Sequence, residues 1–220
     1  MFVGHYAASF YIKSREPSIP LWVLFLAVQL VDIAWALLVL AGIEQLVMVP
    51  GITRASPLDL VYVPYTHSLV AVLGWSLLAC WLWYRIGNKG AERAKAALLV
   101  GLAVLSHWIG DLLVHRPDLP LYDNSAKVGL GLWNYPVVSF SIEIGLLALA
   151  MGLWYRRSSG RAGRFTLFQL WFAMAIVQAY QNFLPITASP NQFVVLALIM
   201  YLLFAFMSRA SDVPSPAPAS

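Results

Sequence analysis

His107, Asp111 and His115 stand four residues apart in the stretch Ser106–Leu121, SHWIGDLLVHRPDLPL. On a helix this spacing sets successive side chains on nearly one face, about 6 Å apart along the axis. An imidazole, a carboxylate and a second imidazole therefore line one stripe. The stretch is the C-terminal half of an apolar run, and an ionisable group in hydrocarbon costs about 2.5–3.5 kcal/mol on insertion scales. Three such groups on one stripe call for a partner, a cavity or an ion. Arg116, Pro117, Asp118 and Pro120 follow and end the helix, since each proline disfavours helix at the residue before it. The stripe thus runs to a membrane surface and opens into a polar loop.

The composition decides the setting. The 220 residues are 60% hydrophobic and 11% charged, whereas soluble domains have about 45–50% apolar and about 25% charged residues. The expected fold is therefore all-α: a polytopic membrane helix bundle of about six transmembrane helices. It forms a single domain over residues 1–207, with a disordered tail rich in Ser, Pro and Ala over 208–220. The lone Cys80 rules out an intrachain disulfide and any cysteine-based metal site. No basic patch interleaved with exposed aromatics is present, which speaks against a nucleic-acid partner.

The spans read as Ile19–Ile43, Val63–Tyr84, Ala96–His115, Gly131–Tyr155, Phe165–Phe183 and Phe193–Met207. Met1–Tyr11 is too short to cross and reads as an interfacial or re-entrant helix. The first span reads as retained rather than as a cleaved signal. Lys and Arg set the orientation. With both termini cytoplasmic, the inner segments hold eleven basic residues, and the outer loops hold only Arg54, Arg116 and Lys127. The sequence thus suggests a multi-pass protein of a bacterial inner membrane.

Depth follows from the orientation. His67 lies near the outer start of the second span, while Asp32 and Glu143 come near the middle of theirs. Together with the stripe, these ionisable groups from four helices share the outer half of the bundle. His and Asp without Cys form the ligand set of catalytic Zn²⁺ and of Mn²⁺- or Fe²⁺-type sites, so His67, His107, Asp111 and His115 are candidate metal ligands. A divalent cation, with zinc the first expectation, would also keep buried carboxylates ionised. Asp32 is a candidate ligand, general base for a water, or partner to a histidine. Glu143 is a candidate catalytic acid or an acceptor that orients an imidazole. Arg116 is placed to hold an anionic group, or to pair with Asp118. Gln169, Gln178, Gln181 and Asn182 read as interhelical hydrogen-bonding groups, and Ser106 with Gly110 as a close-packing pair. His5 joins the cluster only if the N-terminal segment dips into the bundle or the orientation is reversed.

Gly4-His5, Tyr65-Thr66-His67-Ser68, Ser106-His107-Trp108 with Asp111, His115-Arg116-Pro117-Asp118 and Gly129–Asn134 (GLGLWN) together carry a likeness. Up to about Asn134, the chain resembles the membrane-bound metal-dependent hydrolase family, also described as LexA-binding inner-membrane hydrolases. The resemblance implies His5, Asp32, His67, His107 and Asp111 as metal-ligand candidates, with His115 added. It also implies hydrolysis of an ester or phosphoester, and the location suggests an amphipathic or lipid-like substrate in contact with the lipid bilayer. Two other readings stand beside this one. The cluster could be the ion or proton path of a transporter, or a non-catalytic metal or haem site.

Overall fold

Gln29 interrupts the first apolar run, and much of the architecture follows from that break. The computed structural model describes residues 1–87, 90–156 and 161–210, the side chains of 161–164 excepted. A 3-10 turn, Val3–His5, leads into α1 (Tyr6–Arg15). The first expected span is two helices, α2 (Leu21–Val28) and α3 (Leu30–Leu40), bent by 52° at Gln29. Then come β1 (Gln45–Met48), β2 (Leu58–Tyr62), α4 (Leu69–Ile86) and α5 (Arg93–Val114). A second 3-10 turn, Leu132–Asn134, precedes α6 (Pro136–Tyr155), α7 (Arg161–Phe183) and α8 (Pro190–Ala210).

The fold is mostly helical. Among the described residues four helices, α4, α5, α6 and α8, are long and apolar enough to cross a membrane, and the bent pair α2–α3 makes a fifth if it counts as one span. The expected count of six is not reached by this measure. Helix α7 has the length, but Gln169, Gln178, Gln181 and Asn182 make it less apolar. The expected tail start also moves, because α8 continues to Ala210; residues 211–220 lie outside the described part.

The N-terminal segment is not interfacial. Val3, Tyr6 and Phe10 are fully buried, and α1 packs against α2, α5 and α6. Tyr6 and Phe10 each lie against Phe25, with ring centroids 4.5 and 5.4 Å apart. The charged end of α1 meets the start of α5, where Lys95 pairs with Glu16 at 2.9 Å. Burial alone would raise the Glu16 carboxyl, but the Ser18 hydroxyl and Lys95 outweigh it and hold it below its ordinary pKa. Beside this pair Lys13 donates to the carbonyls of Pro17 and Ile19 and lies over Trp154.

The other end of the bundle is capped by structure that the helical reading omits. The segment expected as a loop, Glu44–Tyr62, contains the antiparallel pair β1–β2, with Leu46 opposite Leu60 and Met48 opposite Leu58. Leu46, Leu58 and Leu60 are buried, so the hairpin lays an apolar face on the helix ends. The loop after α5 is stitched to it: Lys127 donates to the carbonyls of Leu60 and Val61, and Asn124 bonds Val61 and Val63. Gly129 allows the close crossing, since a Cβ there would stand 2.1 Å from the Arg116 carbonyl oxygen.

Candidate metal centre

The N-terminal 3-10 turn, α3, the turn before α4 and α5 bring the cluster together, partly through local departures from regular helix. At the α2–α3 break, the Val28 carbonyl has no helical partner and accepts from His107 Nδ1 at 2.7 Å. His67 does not sit on a helix as expected. It lies in the turn before α4, because Ser68 is the N-cap and accepts from Ala71 N. His107 and Asp111 occupy consecutive turns of one face of α5, as the spacing predicts. His115 caps α5 in an extended conformation, after the last helical residue, Val114.

Two carboxylates face these rings. Asp32 Oδ1 lies 3.3 Å from His67 Nε2 and 3.4 Å from His107 Nε2. Asp111 Oδ2 lies 3.0 Å from His107 Nε2 and 3.8 Å from His67 Nε2. The other oxygen, Asp111 Oδ1, is 3.1 Å from His5 Nε2, 3.9 Å from His115 Nε2 and 2.5 Å from the Met1 amine. All these side chains are buried. His5 therefore belongs to the group, by way of the N-terminal segment dipping into the bundle. Its ring stacks on His107 at 3.8 Å and passes over Gly110, where a Cβ would stand 3.0 Å from His5 Nδ1. The small residue expected to aid helix packing admits an imidazole instead.

The tautomers are fixed from behind. Both carboxylate oxygens of Glu44 are occupied: Oε2 accepts the Thr66 hydroxyl at 2.6 Å, and Oε1 accepts the amides of Tyr65 and Thr66. With its proton given to Glu44, Thr66 Oγ1 accepts from His67 Nδ1 at 2.9 Å. His115 Nδ1 donates to Asp118 Oδ1 at 3.0 Å. Three imidazoles thus have Nδ1–H held by an oxygen, leaving each Nε2 lone pair turned toward the carboxylates. This is how proteins orient histidine ligands.

His107 Nε2 supplies the fit test. Despite two carboxylate oxygens within 3.4 Å, it has no aligned hydrogen-bond partner. Nitrogens and oxygens that crowd together without pointing at one another are arranged around a common point. Ligands about 2.0–2.2 Å from a tetrahedral zinc stand about 3.3–3.6 Å apart, close to the spacings found here. The groups Asp32–His67–His107 and His5–His107–Asp111 each converge within 4.8 Å and can hold a metal ion.

The other expected site residues lie elsewhere. Glu143 is buried, but Oε2 accepts the amides of Phe2 and Gly4 at 2.9 and 3.2 Å. It tethers the N-terminal segment rather than joining the cluster. Arg116 pairs with Asp59 of β2 and, at 3.5 Å, with Asp118, so its guanidinium is held in the cap. Gln178 accepts from Val3 N and donates to Asn182, which donates to the Pro136 carbonyl. These amides do join elements, as their expected role requires.

Glu44, Thr66 and Tyr201 escaped the sequence reading. Tyr201 donates to Asp32 Oδ2 at 2.8 Å, fixing the carboxylate so that Oδ1 faces His67 and His107. A cavity of about 300 Å³ opens beside the group, lined by Asp32, His67, Asp111, His115 and Tyr201 at its polar end. No family model, curated protein or solved structure matches this chain.

Proposed function

We propose that this chain is a membrane-embedded, metal-dependent hydrolase that cleaves an ester or phosphoester of an amphipathic substrate. The observation that carries the reading is the orphaned His107 Nε2, set among Asp32, His67 and Asp111 with its tautomer fixed by the Val28 carbonyl. His67, His107 and Asp111 would hold the ion, and zinc suits the donor set best. A divalent cation there supplies Lewis acidity toward a substrate oxygen and a water.

The remaining work falls to the chain. Asp32 has one oxygen occupied by Tyr201 and the other facing the imidazoles, so Oδ1 is placed to accept the proton of an attacking water. The Glu44–Thr66 pair keeps His67 from turning its protonated nitrogen inward. The buried hairpin residues Leu58 and Leu60 keep bulk water from this end of the cavity. The motifs that resemble the membrane-bound hydrolase family include His67, His107 and Asp111.

The test separates hydrolysis from transport. Zinc-loaded protein in detergent should cleave a p-nitrophenyl ester or phosphoester with no gradient present. A silent esterase and phosphoesterase screen, together with gradient-dependent uptake in vesicles, would replace this reading with the transporter.

We place the protein in a bacterial inner membrane with both termini cytoplasmic and the cluster in the outer half. The support is the concentration of Lys and Arg at the opposite end. Alkaline phosphatase fused within residues 85–95 should be inactive, and an active fusion would reverse the orientation.

A further inference from the structure

The cavity beside the cluster holds all its ionisable lining groups at one end. Away from Asp32, His67, Asp111 and His115 its walls are Val177, Phe193, Leu196, Ala197 and Met200, from the facing sides of α7 and α8. Lining residues from the N-terminal segment, α3, the hairpin, α5 and the 3-10 turn at Trp133 are all buried. The exposed lining residues, Tyr180, Thr187, Gln192 and Leu196, all belong to α7, α8 or their connection. The mouth therefore lies between α7 and α8. It does not lie on the capped end, where Leu58, Leu60 and Trp133 form the roof.

That mouth runs from the polar α7–α8 connection, with Tyr180, Thr187 and Gln192, down to Leu196 on an apolar face of α8. Phe172 and Ile176 on α7, with Ile199, Leu202 and Leu203 on α8, are exposed on the outer faces of the same two helices. In a membrane-spanning bundle such a surface meets lipid chains rather than water. A polar small molecule would have to cross hydrocarbon to reach the cluster, whereas a bilayer lipid already sits at the opening. At about 300 Å³, the cavity is at the small end of ligand pockets, room for a single chain segment rather than for a whole two-chain lipid.

From this arrangement we infer that α7 and α8 form a lateral entry for a bilayer phospholipid. One acyl chain lies between Val177 and Met200, and the head-group ester or phosphoester is presented to the Asp32–His67–His107–Asp111 group. The inference rests on the hydrolase reading for the fate of the head group, but chain binding is a separate property with its own readout. Ala197, small and buried at the wall, sets the width of the entry. Tyr180 and Gln192 stand at the membrane-surface end of the mouth, where the glycerol backbone of the lipid would pass.

The experiment uses the full-length protein in vesicles of phosphatidylethanolamine and phosphatidylglycerol, doped with phosphatidylglycerol carrying a diazirine on one acyl chain. After photolysis and peptide mapping, adducts are expected on Met200 and Val177, besides those on the outward residues Phe172 and Ile199. In Ala197→Trp the Met200 adduct should fall at least tenfold, with Phe172 labelling and bound metal unchanged. Val177→Trp fills the cavity from the opposite wall and should do the same if Ala197→Trp fails to fold. Adducts confined to outward residues, or a Met200 adduct undiminished in the folded variants, would overturn the inference. Cavity labelling as expected in a protein that holds no metal would sustain the lipid entry and remove the hydrolase reading alone.

Discussion

Asp111→Asn should lower hydrolysis by about a thousandfold or more, because a ligand and its charge are lost together. Asp111 divides its two oxygens within the cluster: Oδ2 faces His107 and His67, and Oδ1 faces His5 and the Met1 amine. Asparagine keeps the shape and one acceptor but brings an N–H₂ against imidazole lone pairs already turned inward. The helix is untouched, since the substitution lies within α5 and is nearly isosteric. Thermal unfolding followed by fluorescence should therefore change little while turnover collapses. Activity within tenfold of wild type would mean that Asp111 is a packing partner and not part of the reaction.

Glu143→Ala should act on stability and reach the cluster only indirectly. Its buried carboxylate accepts the amides of Phe2 and Gly4. Leaving a buried donor unpaired costs about 1–3 kcal/mol, so two donors cost about 2–6 kcal/mol. For a chain of this size the apparent melting point should fall by about 4–24 °C. His5 follows those amides by one residue, so the variant should also release metal faster than wild type. Glu143→Gln keeps an acceptor oxygen and should lose far less. A melting point equal to wild type in Glu143→Ala would show that the N-terminal segment is not held by this contact.

The parts of the site legible in the sequence are those written in local spacing. His107 and Asp111 share a face of α5 because four residues make about one helical turn, and no tertiary knowledge was needed to see it. Their meeting with His67 and Asp32 followed from depth in a bundle. What stayed hidden was non-local or lay in breaks. Gln29 carries none of the proline or glycine signals of a broken helix, yet its break frees the Val28 carbonyl that orients His107. Glu44 sits just before a hairpin whose pairing cannot be read from a short, half-alternating run, so its contact with Thr66 was invisible. Tyr201 looked like one aromatic among many in an apolar helix; only the packing of α8 against α3 brings its hydroxyl to Asp32. The same holds for Arg116 and Glu143. Their residue types suggested chemistry, and their partners, Asp59 on β2 and the Phe2 and Gly4 amides, are far away in the chain.

The central claim is that these residues hold a metal ion, and elemental analysis tests it most directly. Protein purified without chelators and exchanged into zinc buffer should carry stoichiometric metal after desalting. His67→Ala and His107→Ala should lose it, since each removes an Nε2 that faces both Asp32 and Asp111. Gln178→Ala, which removes a bond to Val3 and Asn182 only, should retain it. No metal in the wild-type protein, or equal content in all three variants, would contradict the account.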